Sequence, residues 1–310
     1  MNNNELLDPA VRGVLDMYRI APRNEEAVAL YGDEVVASSG SISGLAGPLS
    51  EHIYRTHHSG MDEIDDKLTK EGMSDPVLEK ELQAATSGYS FRQRIRVSDR
   101  RGKSVIVVIN GVRVLLEPER FEVLQGTDEV IVDVPSLRPF VSPGFIYYRS
   151  PASDNLRVGT RVYMSLGDAS LGPEVWAAVQ RYTPEISAAF HAKIASSRVL
   201  YPRRDAVVIY LPISVGHEEL VYLASKFSGS SLSLGTTSAL ICKLAPGIGY
   251  AHEPYDPALL GSRTSFGQHR SGLLAKAVIL THKNQGRSED VADIFRGANV
   301  DPRAIYMNVQ

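Results

Sequence analysis

The chain has 310 residues, 43% of them hydrophobic, which is enough to bury one large core or two smaller ones. A formal net charge of −3 gives no overall field for nucleic acid or an anionic membrane, so any anion must be gripped by local clusters of Arg and Lys. The single cysteine, Cys242, excludes an intramolecular disulfide and a Cys-rich metal site.

The N-terminal MNNNELLDPAVRGVL lacks the basic flank and apolar stretch of a secretory signal, and no apolar run approaches bilayer length. The expected location is the cytoplasm. Asp8–Ile20 reads as a helix, with Pro9 in the first turn and Val11, Val14, Leu15 and Tyr18 as its apolar stripe. Val36–Leu49 is rich in Gly and Ser and reads as a loop or linker. Leu49–His58 is helical in pattern and carries His52, His57 and His58. With no carboxylate at ligand spacing, these read as surface histidines rather than a metal site. Met61–Gln83 is charged and helical in pattern.

From Phe91 the period becomes that of strands. Phe91–Val97 alternates, with Arg92, Arg94 and Arg96 on one side, as an exposed sheet face or a docking face would. Ser104–Leu116 holds Asn110-Gly111 between two β-rich runs, a hairpin signal. Glu122–Val134 adds strand up to Pro135. Pro143–Tyr148 and Arg157–Leu166 are further strands, Pro173–Arg181 is a short helix with Trp176 and Val179 inward, and His217–Phe227 is another helix. Ser228–Thr237 is a polar loop. Leu244–Pro254 is Gly/Pro-rich and reads as a rim segment. Neither a P-loop nor a G-x-S-x-G elbow occurs, so nucleotide hydrolysis and serine-hydrolase chemistry lack support.

Two stretches concentrate cationic and hydrogen-bonding groups. In Ala189–Tyr210, alternation places Phe190, Ala192 and Ile194 on one strand face and His191 and Lys193 on the other. Tyr201, Arg203, Arg204 and Asp205 then lead into a buried strand. In Ser265–Leu280, Ser265 and Gln268 have capping-box spacing, which puts His269 and Arg270 in the first helical turn, where anions are naturally held. A second helix starts at Ser288 and stops near Gly297, and Ile305–Val309 is a final docking segment. Lys and His on one strand, Arg on the next and a helix start beside them suit a doubly charged anion.

The ordered series PGFIYY, RVGTRVYMSL, FHAKI, YPRRDAVVIYL, LAPGIGYAHEP, SFGQHR and GANVDPRAIYMN resembles the HopA-type effector family. That family includes plant-pathogen type III effectors and the stand-alone lyases of class V lanthipeptide and thioamitide pathways. The resemblance runs from about Arg92 to the C-terminus and is loose before it. It implies β-elimination of phosphate from phosphoserine or phosphothreonine in a ribosomal precursor peptide, giving dehydroalanine or dehydrobutyrine. It also implies a separate kinase-like partner, and a Tyr-x-Arg-x-Asp element at Tyr201, Arg203 and Asp205. Phosphothreonine lyases of bacterial effectors perform the same reaction with a Lys base and a His acid in the order Lys-x-His. This chain has His191-x-Lys193, and Met164-Ser165 stand where the family usually bears Trp-Asn.

The chemistry itself requires a base beside Cα, stabilisation of the enolate-like oxygen and cations on the phosphate. Lys193 is the candidate base, its pKa lowered by burial and neighbouring cations; the alternative is a lysine snorkelling off the sheet. His269 is the candidate acid, with His191 in reserve; the alternative for His269 is a helix-positioning histidine. Arg203, Arg204, Arg270, Arg161 and Arg263 are clamp candidates, each equally suited to a structural ion pair. Tyr163 and Tyr201 are candidates for hydrogen bonds to phosphate or enolate, against a role as core tyrosines. No metal or other cofactor is called for.

The expected fold is α+β, an antiparallel-rich sheet with flanking helices and a helical N-terminal segment. Residues 1–90 form that segment, a docking region in this reading, and residues 91–310 form the lyase domain. The expected partners are the phosphorylated precursor, leader and core together, and a kinase-like protein; self-association is compatible, nucleic acid and membrane are not expected. The alternative function is a non-catalytic effector or scaffold that binds a phosphorylated segment or a kinase-like partner.

Overall fold

A computed structural model describes residues 6–61, 73–88, 90–109, 111–153, 156–228, 235–259, 264–284 and 287–309. Within them the chain is α+β, with seven α-helices and three antiparallel sheets. None of the described helices is long and apolar enough to cross a membrane.

Helix α1 (Pro9–Met17) begins as its sequence dictates, with Asp8 accepting a hydrogen bond from the Ala10 N–H and Val11 and Val14 buried. It stops before Ile20. Tyr18 is extended and opens a three-stranded meander of β1 (Tyr18–Arg23), β2 (Glu26–Tyr31) and β3 (Glu34–Ser39). The Val36–Leu49 stretch is therefore not a loop. Its first residues pair with β2, and helix α2 (Ala46–Ile53) starts within it. Small side chains disguised the pattern, but Leu45, Leu49 and Ile53 recur every four residues and are fully buried.

Helix α2 runs on into a π-helical turn over Tyr54–Ser59, which ends where Gly60 adopts φ +71°. His57 and His58 lie inside that turn and are buried, correcting their reading as surface histidines. Most of the charged stretch after Met61 falls outside the described residues; beyond it, α3 (Pro76–Ala84) is capped by Asp75.

Strands β4 (Ser90–Arg101), β5 (Ser104–Ile109), β6 (Val112–Leu116), β7 (Phe121–Val123) and β8 (Glu129–Pro135) form a sheet in the order β6-β5-β4-β8-β7. It has its own core of Phe91, Ile95, Val105, Val107, Val130 and Val132. Arg92, Arg94 and Arg96 are exposed, and Arg94 pairs with Glu129 at 2.8 Å. The expected hairpin is present, with Ile109 opposite Val112 and Gly111 at φ +79°; Asn110 lies outside the described residues.

The third sheet has seven strands: β9 (Leu137–Ser142), β10 (Phe145–Arg149), β11 (Val158–Leu166), β12 (His191–Ala195), β13 (Arg203–Pro212), β14 (Cys242–Ala245) and β15 (Ile248–His252). Their order is β14-β15-β11-β13-β12-β10-β9. The segment read as a rim is thus the β14–β15 hairpin, turned at Gly247 with φ +70°. Helices α4 (Gly172–Tyr182) and α5 (His217–Ser228) cover one face, where Trp176, Val179, Leu223 and Phe227 pack on Ile194, Val207 and Ile209. The other face meets α6 (Phe266–Asn284). There Tyr163, Val208 and Ala251 share a core with α1, α2 and α7 (Ser288–Gly297).

Candidate active site

Strand β12 alternates as its sequence requires. Phe190, Ala192 and Ile194 are buried toward α4, and His191 and Lys193 stand half-buried on the opposite face. Cross-strand partners extend that face sideways. Arg138, Tyr147, Lys193, Val208 and Tyr163 form one row, and Arg149, His191, Tyr210 and Arg161 form the next. Between Met164 and Leu166 the register breaks: Met164 faces Val207, but Leu166 faces Arg203. Four residue steps on β13 thus oppose two on β11, and this bulge brings Asp205 to the side occupied by Lys193.

The Lys193 ammonium lies 4.3 Å from the centroid of the Phe145 ring and forms no ion pair among the described residues. Burial pushes this amine down to about 8; Asp205 opposes the shift, and Arg203 and Arg161 add to it. Asp205 is committed elsewhere. Arg203 donates to it through Nε (2.5 Å) and Nη2 (3.1 Å), and to the Tyr54 hydroxyl at 2.9 Å. Burial works against ionisation of Asp205, yet Arg203, His58 and Lys193 hold its carboxyl well below the usual carboxylate range. His58 Nε2 is 3.8 Å from Asp205 Oδ2, and its Nδ1 is 3.0 Å from the Ser238 hydroxyl. Burial lowers His58 to about 4 despite Asp205, so the ring is neutral at physiological pH.

Tyr54, His58 and Ser238 complete this cluster and belong to no recognised motif. The available signal was the four-residue spacing of Tyr54 and His58, which puts both on one side of a helix just before a terminating glycine.

The remaining candidates are distributed around this centre. Arg161 forms a two-pronged pair with Glu253, with Nη2 at 2.5 Å from Oε1, and stacks over Tyr210. The buried Tyr163 hydroxyl lies beside Arg161, and burial pushes it up beyond its usual range. Arg204 donates to the Thr56 carbonyl at 2.7 Å and to Thr236 at 3.2 Å, bracing the π-helical turn. The Tyr201 hydroxyl donates to the Ala195 carbonyl at 2.7 Å. His191 meets the Tyr147 hydroxyl at 2.8 Å and is held down to about 4 by burial, then Arg149 and Arg138. Arg263 lies outside the described residues.

At the start of α6 the capping box forms as spelled. Gln268 N–H donates to Ser265 Oγ, and Ser265 N–H donates to Gln268 Oε1, each at 3.2 Å. His269 is buried, with Nε2 3.0 Å from Asp256 Oδ2. Burial lowers its pKa, and the Asp256 hydrogen bond opposes that. Arg270 is fully buried and donates to the Ile305 and Met307 carbonyls, tying α6 to the C-terminal segment. Lys193, Arg203 and Asp205 are therefore gathered into one cluster, and His269 and Arg270 belong to a neighbouring one.

The HopA1 effector protein family matches residues 136–307, from the start of β9 to the C-terminal segment. Two solved structures share the fold. The effector protein from Pseudomonas syringae pv. tomato strain DC3000 is 14% identical with a TM-score of 0.53, covering 100% of each chain. The effector protein from Pseudomonas syringae pv. syringae strain 61 is 15% identical with a TM-score of 0.50, covering 86% of this chain and 93% of that one. No curated protein matches the chain.

Proposed function

The chain belongs to the HopA1 effector protein family, and from that premise we propose that it is a phosphoserine/phosphothreonine lyase acting on a phosphorylated ribosomal peptide. The observation that carries this reading is Lys193, an amine lowered to about 8, half-buried and without a carboxylate partner among the described residues. Such an amine is partly neutral near physiological pH and can accept a proton. In the proposed step Lys193 Nζ takes the α-proton of the phosphorylated residue. The C–H electron pair becomes the Cα=Cβ bond, the Cβ–O bond breaks, and phosphate departs with the bridging oxygen. Surrounding cations supply the field that offsets charge on the enolate-like oxygen and the leaving group. His191, on the strand face of Lys193 with its Nε2 unpartnered among the described residues, is the proposed proton donor to the leaving oxygen; His269, whose ring nitrogens meet Asp256 and Arg270, is the alternative donor. The substrate carries leader and core segments, and a kinase-like protein supplies the phosphorylation.

Incubating the full chain with a phosphothreonine peptide tests this directly. The expected result is loss of phosphoric acid from the peptide mass, abolished in Lys193→Ala while phosphopeptide binding persists. An unchanged peptide mass with retained binding would instead make the protein a phosphopeptide-binding effector. Full turnover in Lys193→Ala would remove Lys193 from the mechanism.

A further inference from the structure

Four of the arginines nominated from sequence as phosphate clamps are already engaged within the fold. Arg161 is paired with Glu253, Arg203 with Asp205, Arg204 with the Thr56 carbonyl, and Arg270 with the C-terminal carbonyls. A guanidinium in a two-pronged carboxylate pair has few donors left for a substrate phosphate. The same sheet face offers a different cation. Arg138 Nη2 is buried and has no hydrogen-bond partner among the described residues. Ser136, two residues earlier, is 1% exposed, and its hydroxyl is likewise without a partner among them.

Register places these groups beside the proposed base. Arg138 is the direct cross-strand partner of Tyr147, and Tyr147 is the partner of Lys193. Arg138 and Lys193 thus flank Tyr147 on one row, two strand spacings or about 10 Å apart at Cα. The next row carries Arg149, opposite His191, and the Arg149 N–H donates to the Ser136 carbonyl at 2.9 Å. Arg149 is anchored by Ser153 at 3.3 Å and by the Phe91 ring. After burial, its charge lowers Arg138, and the two guanidiniums together lower His191. The buried, unused donors of Arg138 and Ser136, beside the added positive charge of Arg149, form a site that an anion would complete.

We infer that Arg138 and Ser136, with Arg149 and the Tyr147–His191 pair around them, form the phosphate-binding corner of the site and hold the phosphoryl group of the substrate ester. The ligand class is a tetrahedral dianion, free phosphate or a phosphate monoester. The assignment of the ester as substrate rests on the lyase reading; the anion site itself does not. With the phosphoryl group at Arg138, the esterified residue would bridge Tyr147 and present its Cα toward Lys193.

Inorganic phosphate is the probe. Titration of the full chain, followed by calorimetry, should show saturable binding, weakened about ten- to one-hundred-fold in Arg138→Gln by loss of a charge-assisted partner. Arg287→Gln, an exposed arginine paired with Asp290 on α7, should bind as the parent does. Equal phosphate affinity in folded Arg138→Gln and the parent would overturn the inference. If Arg138→Gln does not fold, the parent decides: phosphate must shift the His191 ring nitrogen resonances, and unshifted resonances at saturation would overturn it. The two readings separate cleanly. Phosphate binding through Arg138 without peptide mass loss keeps the site and removes the lyase. Elimination with an unchanged KM and unchanged phosphate affinity in Arg138→Gln keeps the lyase and removes the site.

Discussion

A lysine above an aromatic ring, half-buried and close to two guanidiniums, releases its proton more readily than one in water, because burial and like charge both disfavour the ammonium. Elimination needs the neutral amine. The neutral fraction of Lys193 should therefore rise with pH through about 8 and level off above it, since Lys193 is lowered to about 8. Because the histidine donor must be protonated and burial lowers its pKa, the maximal rate should pass through a broad maximum and fall above an alkaline inflection at about 8. Asp205 is the neighbour that opposes the shift. Asp205→Asn should move the inflection to lower pH, and a pH–rate profile of the two proteins checks the direction. An inflection unmoved in Asp205→Asn would mean that the titrating group is not Lys193. This pair was half legible in the sequence. Alternation identified the face of Lys193, but the placement of Asp205 on that face depends on a bulge in β13 that no residue type announces.

At the scale of elements, the site is held by the contact between the π-helical turn and the start of α6. Gly267, the second residue of that helix, makes this contact possible. A Cβ there would clash with the His58 ring and lie 2.6 Å from Tyr54 Cε2. Neither ring can move freely. His58 is bonded to Ser238, and the Tyr54 hydroxyl is held by Arg203. Gly267→Ala should therefore destabilise the protein by about 1–3 kcal/mol, the usual cost of overpacking, and lower elimination more than phosphate affinity. Thermal melting and the two assays measured on one preparation test this. A variant with parental stability and rate would show that the turn yields without consequence. The glycine of SFGQHR was visible in the sequence, and its reason was not: the partner ring of His58 lies more than two hundred residues earlier.

At the scale of the molecule, one core joins the N-terminal segment to the last helices. Leu7, Val11, Leu45, Leu49 and Ile53 pack in it with Phe266, Leu273, Leu274 and Phe295. The first part of the chain thus contributes apolar burial, and through Tyr54 and His58 it also reaches the site. The β4–β8 sheet is different. Its core is separate, and its arginine face points outward with Arg92 and Arg94 paired to Glu122 and Glu129. Exposed pairs of this kind contribute little to stability, so charge changes on this face should leave the fold intact. If a leader segment docks there, removing it from an otherwise intact phosphopeptide should weaken binding and slow elimination. Charge reversal at Arg94 and Arg96 should reproduce the loss on the leader-bearing peptide alone. Equal rates and affinities for the two peptides would leave that face to a kinase-like partner or to solvent.

What the sequence determined by itself follows from local physics. Alternation in β12, the Pro9 helix start, the two-residue hairpin turn before Val112 and the Ser265–Gln268 cap are each decided within a few residues, and each formed as written. The α+β class follows from the same periods. What only the tertiary structure decided are the pairings between distant residues. Burial of His57 and His58, the closing of Leu244–Pro254 into a hairpin and the engagement of Arg161 by Glu253 all depend on what lies across the fold. The phosphate question belongs to this second group. Sequence ranks arginines by their neighbours in the chain, but an arginine can grip a substrate only if the fold leaves its donors unspent. Arg138 is in that position because register sets it beside Tyr147 and leaves it without a carboxylate partner among the described residues.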